Sequence, residues 1–275
     1  MIKFIMSSLI LINFISCASH KNPRAISNDT MDGLKYESLS RYDLKRLQPA
    51  LKKDNPLALC HNNDFDKAQK ILKQKLDEKI NDFNYWNKIS TCYILEKEYS
   101  KARYFLDIAL SRAKKNKDKS IILNNIGLVL LEQKHFEEAK DYFKKSIELS
   151  SKYLTPKFNL VQIYLKFGIY KKADKEINLL LNANNNDIDF LNAKAHTQLM
   201  LKEYKNALVY FNKIPKDYRK RDDIATNMAM TYYMLGLYNN AKEIITSAEK
   251  SDQYFVEKQE QIVKNIDILH EKTVQ

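Results

Sequence analysis

An aromatic residue followed three positions later by alanine returns every 34 residues along most of this chain. The pairs are Phe136/Ala139, Tyr170/Ala173, Tyr204/Ala207 and Tyr238/Ala241, and the same step taken backwards meets Tyr99/Ala102 and Phe65/Ala68. A three-residue insertion, Lys117, Asp118 and Lys119, interrupts the step once and is expected in a loop. A fixed period of this length marks one supersecondary unit that cannot bury its apolar face alone and stacks on its neighbours. Within the clearest unit, Ser120 to Tyr153, apolar or small residues fall at Leu123, Ile126, Gly127 and Leu130, then at Phe136, Ala139, Phe143 and Ser146. That is the spacing of a helix, a short turn and a second helix. Four glycines and five prolines in 275 residues argue against a turn-rich β fold, so the expectation is all-α.

The unit resembles the tetratricopeptide repeat, with small residues at positions 8 and 20 and aromatics near 11, 17 and 24. The resemblance implies a right-handed superhelical solenoid of about six repeats over 49–255. Their expected bounds are 49–82, 83–116, 120–153, 154–187, 188–221 and 222–255, followed by a capping helix and tail over 256–275. Gly127, Ala139 and their equivalents let the two helices of a repeat approach closely, while aromatics fill the groove toward the next. The first repeat is degenerate, and Pro56 shortens its first helix. In the fifth, Lys194 occupies an apolar position. The cap puts Val256, Ile262, Val263, Ile266 and Leu269 on one side and charged residues elsewhere.

A formal charge of +12 would suggest nucleic acid for a cytosolic protein, but the N-terminus reads as an export signal. Residues 1–16 carry Lys3 and a mostly apolar run from Phe4 to Ile15, too short to span about 30 Å of hydrocarbon. The run ends in Phe14-Ile15-Ser16-Cys17, which resembles the lipobox of bacterial lipoproteins, with Phe14 in place of the usual Leu. The resemblance implies cleavage before Cys17 and acylation of that residue. With Ala18 rather than Asp next, it also implies an outer-membrane location facing the periplasm. Several acyl chains hold a protein on a bilayer durably. Residues 17–48 are polar, include Pro23 and Gly33, and read as a flexible tether, with a short helix capped by Ser40 as its only candidate element.

Nothing in the chain reads as a catalytic set, a cofactor motif or a metal site. The five histidines are scattered, and His135 with Glu138 sits at an interhelix turn where exposed polar residues are expected. Cys60 and Cys92 fall in the first helices of adjacent repeats. Export would favour a disulfide contributing roughly 3 kcal/mol on the chain-entropy model, and the alternative is two buried thiols packed as small hydrophobes.

In tetratricopeptide arrays the first helices line the concave face. On that resemblance the candidate peptide-binding residues are Asn87, Thr91, Asn124, Leu128, Phe158, Gln162, Asn192, His196, Met230 and Tyr233. Asparagines recur at two neighbouring positions of successive repeats, either as a ladder gripping an extended peptide backbone or by the general Asn-richness of the chain. Lysines such as Lys67, Lys144 and Lys171 recur in second helices, as a solvated outer face or as an attraction to anionic headgroups or an acidic partner.

The architecture is therefore similar to that of lipoprotein adaptors: the pilotins of type IV pili first, then adaptors that dock peptidoglycan hydrolases, and more distantly the accessory lipoprotein of outer-membrane β-barrel assembly. The implied partners are another envelope protein in the groove and the membrane through Cys17, with no nucleic acid, no cofactor and no enzymatic activity.

Overall fold

The computed structural model describes residues 55–274. The signal segment 1–16, Cys17, the tether 17–48 and positions 49–54 of the first repeat lie outside the described residues. Within them, helices run in pairs, A then B. They are α1 (Pro56–His61) with α2 (Phe65–Gln74), a single turn α3 (Leu76–Lys79), α4 (Phe83–Leu95) with α5 (Tyr99–Arg112), and α6 (Asn116–Glu132) with α7 (Phe136–Leu149). Next come α8 (Thr155–Lys166) with α9 (Tyr170–Ala183), α10 (Ile188–Met200) with α11 (Tyr204–Lys213), and α12 (Asp222–Met234) with α13 (Tyr238–Thr246). The long α14 (Gln253–Val274) follows. Helix starts are written in the sequence: Asn55, Asp82 and Asp187 accept a hydrogen bond from a first-turn N–H. Pro56 and Pro156 occupy first-turn positions where no donor is needed.

One turn geometry folds every A helix back onto its B helix. Asn63, Lys97, Lys134, Gly168, Lys202 and Gly236 hold φ between 62° and 74°. The residue after each donates its N–H to a carbonyl five positions back, as in His135 N to Leu130 O at 2.8 Å, while Lys134 N reaches Leu131 O at 3.0 Å. This pair of bonds is the Schellman closure, and it satisfies carbonyls that a helix end would otherwise leave bare. Glycine adopts the left-handed conformation without cost, whereas each lysine there costs about 1 kcal/mol.

The B helices then pack through the recurring alanine. Ala68, Ala102, Ala139, Ala173, Ala207 and Ala241 are wholly buried, and four residues on, Leu72, Leu106, Phe143, Ile177, Phe211 and Ile245 fill the space between A and B. In the third repeat the approach is so close that a Cβ on Gly127 would lie 2.6 Å from Phe143 Cε1. One core runs from Leu59 to Ala193, and two smaller clusters carry it through α14. At the N-terminal end Cys60 and Cys92 are bonded to each other, with Cα atoms 5.3 Å apart, tying α1 to α4. Closing a loop of 32 positions restricts the unfolded chain by about 3–4 kcal/mol on the chain-entropy model.

Two details differ from the sequence reading, and a third, the lysine at an apolar position, is accounted for. The Lys117–Lys119 insertion is helical: α6 starts at Asn116, because three residues add nearly one turn and Asp118 suits the positive N-terminal end. The cap begins at Gln253, three residues earlier than expected. Lys194 is buried at its apolar position because its ammonium pairs with Asp174 Oδ1 at 2.7 Å while its stem packs in the core.

Two substitutions separate these constraints. Gly127→Ala should lower unfolding free energy by about 1–3 kcal/mol through overpacking against Phe143. Lys202→Gly should raise it by about 0.5–1 kcal/mol by relieving the left-handed turn. Chemical denaturation of both variants beside the parent chain reads the two signs directly.

Candidate peptide-binding groove

The A helices of the last three repeats, α8, α10 and α12, lie side by side, and α14 runs along α12 to wall off one flank. Between them is a cavity of about 620 Å³. Its apolar wall comes from Phe158, Leu165, Leu199 and Met230, and α14 contributes Tyr254, Phe255 and Ile262. A further space of about 480 Å³, lined by Leu131, Phe136 and Lys166, shares Gln162, Leu165 and His196 with it, so the groove continues toward the third repeat.

The floor is polar. Arg221, at the start of α12, directs Nε and Nη2 at the Asp223 carboxylate, 2.7 and 2.8 Å away, and Nη2 also meets Asp189 Oδ1 at 2.8 Å. Asn192 Nδ2 donates to Asp223 Oδ2 at 2.8 Å. Burial works against the Arg221 charge, but the Asp223 hydrogen bonds and the two carboxylate charges outweigh it and hold the pKa above its ordinary value. Burial also pushes the His196 imidazole below its usual pKa, with Asp223 opposing less strongly, so this side chain is neutral at physiological pH.

The loop before α14 is clamped by one carboxylate. Asp222 accepts N–H bonds from Lys250, Ser251 and Asp252, and the Ser251 hydroxyl at 2.8 Å. Burial alone would raise the Asp222 pKa, yet these donors, Ser251 Oγ foremost, hold it below the usual carboxylate range. Farther along, Gln259 Nε2 donates to Thr226 Oγ1 at 3.0 Å, and Lys242 meets Asp267 at 2.6 Å.

A tetratricopeptide-repeat model matches residues 82–152, and a second one matches 130–196. Residues 82–196 are tetratricopeptide repeats. Among solved structures, PilF of Pseudomonas aeruginosa superposes with a TM-score of 0.59 at 17% identity, covering 75% of this chain and 94% of that one. PilW, a widely conserved type IV pilus biogenesis factor, gives 0.58 at 16% identity, covering 86% and 98%. The protein ycf37 of Cyanophora paradoxa is 32% identical over 100 residues, 35% of this chain, and the chain spans about half (54%) of that relative's length. Identities of 16–17% establish a shared fold, that of a tetratricopeptide-repeat solenoid.

Of the groove residues expected from the repeat pattern, Phe158, Gln162, Asn192, His196 and Met230 line the cavity. Asn87, Thr91, Asn124 and Leu128 do not, and all four are buried. The asparagine ladder exists but is spent internally. Asn125 Nδ2 donates to Asn87 Oδ1 at 2.9 Å, Asn124 Nδ2 to Asn125 Oδ1 at 3.2 Å, and Asn159 Nδ2 to Asn124 Oδ1 at 2.9 Å. These positions face the neighbouring A helix and bond chiefly to one another across it, although the buried Asn87 Nδ2 finds no partner there. Tyr233 instead packs on Tyr238, ring centroids 5.7 Å apart, in the last repeat. His135 and Glu138 form an exposed pair, Nδ1 to Oε1 at 3.1 Å, and among the described residues no three His, Cys, Asp or Glu converge as metal ligands.

Sequence reasoning missed the Asp189–Arg221–Asp223 cluster and the part α14 plays in the groove. The first had a signal, since Asp189 and Asp223 are one 34-residue step apart.

The Asp222 clamp gives α14 a pH dependence. A carboxylate whose folded pKa lies below its unfolded value of about 3.9 stabilises fully above that value and loses its contribution as pH falls through the folded pKa. Asp222→Ala should therefore speed amide exchange across 253–274 at neutral pH by about tenfold or more. The difference from the parent chain should shrink as the pH falls below the ordinary carboxylate value and through the lower folded pKa of Asp222.

Proposed function

We propose that this protein is a membrane-anchored adaptor that binds a segment of another envelope protein in the groove and performs no chemistry itself. The observation that carries this reading is the cavity between α8, α10, α12 and α14, with apolar walls over a polar floor. Such a surface suits a peptide or helix whose apolar side chains meet Phe158, Leu165, Leu199 and Met230 while its backbone meets His196, Gln162 and Asn227. Tetratricopeptide repeats are a protein-interaction scaffold, which agrees with this use of the face.

Cys17 supplies the anchor in this proposal, holding the solenoid at the periplasmic face of the outer membrane and raising its local concentration near embedded partners. The shared fold with PilF and PilW directs the pathway proposed here to type IV pilus biogenesis, with a secretin or its assembly factor as the partner.

Affinity capture from detergent-solubilised envelopes tests the reading. Gln162→Arg with Met230→Glu changes two groove residues outside the fully buried core, and Lys144→Glu changes the exposed outer face of α7. The groove variant should lose about tenfold or more of the captured partner, consistent with disruption of a contact centre. The outer-face variant should retain it, and loss only from the outer-face variant would contradict the groove reading.

A further inference from the structure

Five large apolar side chains stand exposed at the A–B turns of three consecutive repeats: Phe167 and Ile169, then Met200, then Met234 and Leu237, each 40–52% accessible. Met200 and Met234 are one period apart, and Ile169 and Leu237 two. Because α8, α10 and α12 lie side by side and each enters the same left-handed turn, these turn tips share one edge of the solenoid.

The charge on this edge is one-sided. Positions 166–172, 200–206 and 234–240 hold Lys166, Lys171, Lys172, Lys202 and Lys205, all exposed, against a single acid, Glu203. The same turns of the second and third repeats differ on both counts. Glu96, Glu98, Glu132, Glu137 and Glu138 offset their lysines, and no large apolar side chain there is exposed beside the turn. Apolar exposure and net positive charge thus coincide at the turns of the fourth and fifth repeats, the sixth adds uncharged apolar exposure beside them, and both are absent from the second and third.

We propose that this edge docks on an anionic bilayer surface, with Phe167, Ile169, Met200, Met234 and Leu237 entering the interface and the lysines meeting headgroups. Ile169, Met234 and Leu237 stand at turn tips outside the groove, Phe167 leans edge-on against Phe136 and Met200 sits at the groove's rim; a row of tips of this kind suits shallow insertion among acyl chains better than the enclosure of a protein side chain. Interspersed lysines supply the charge complementarity to acidic lipid. Docked in this way, the solenoid presents the mouth of the groove beside the membrane, since Met200 belongs to both the cavity and the edge. The inference rests on the reading that the N-terminus attaches the chain to a membrane, and it does not depend on the groove's partner.

Depth-dependent quenching tests it on the full chain purified from membranes. Phe167→Trp, Leu237→Trp and, on the outer face of α11, Val209→Trp are each compared with the parent, whose Trp86 is common to all. Vesicles contain phosphatidylethanolamine with phosphatidylglycerol, and either unbrominated or brominated acyl chains. Brominated lipid should quench the added emission at 167 and 237 about twofold or more and leave that at 209 unchanged, with the effect weakening in phosphatidylcholine vesicles. Equal quenching at all three sites, or none at 167 and 237 while the chain co-sediments, would overturn the docking, and the second pattern would leave the edge to a protein partner. A chain that does not co-sediment would overturn the attachment and the inference together.

Discussion

Close approach of two helices at a single alanine is the constraint on which the rest of this structure depends. At each of the six positions from Ala68 to Ala241 the side chain is wholly buried, and the residue four further on occupies the space that a larger one would have taken. The left-handed turn sets the angle at which the B helix returns, and it is repeated with the same two hydrogen bonds whether the residue is Gly, Asn or Lys. Three lysines tolerating that conformation show that packing between the helices outweighs a local cost of about 1 kcal/mol. Once hairpin geometry is fixed, stacking places every A helix on the same side, and a continuous face follows.

That face is used differently along its length. In the second to fourth repeats the A helices are fastened by buried amides, Asn87 to Asn125 to Asn124 to Asn159, with the disulfide securing the N-terminal end. In the last three repeats the polar groups open toward a cavity, and α14, clamped through Asp222, supplies the fourth wall. The part of the solenoid fastened by amides and the disulfide thus adjoins the part with room for a ligand. Arg221 is held between two carboxylates and His196 is kept neutral, so the floor presents hydrogen-bonding groups within a charge cluster that is already paired.

Much of the fold was legible because its determinants are local and periodic. A 34-residue step finds the alanines, the aromatics before them and the helix bounds to within a few residues. The insertion at Lys117–Lys119 was misread because a lysine-rich triplet looks like a loop, whereas helical phase and the dipole allow it to extend α6. The candidate site was half legible. Position within the repeat found Phe158, Gln162, Asn192, His196 and Met230, but it could not show that Asn87 and Asn124 face a neighbouring helix instead of the groove. That distinction depends on the rotation of each A helix about its axis, which shared periodicity does not specify. Arg221 was missed because it precedes its helix, and α14 because a capping helix and a groove wall have the same amphipathic pattern.

The concave face between α8 and α14 is proposed to receive a partner in the cell envelope. The most direct measurement is site-specific photocrosslinking in living cells, with a benzophenone side chain at Gln162 inside the groove and another at Lys144 on the outer face. If the groove is the binding face, position 162 gives a single discrete adduct, mapped by mass spectrometry to one segment of an envelope protein, and position 144 gives none of that species. The same adduct from 144 with nothing from 162 would contradict that reading.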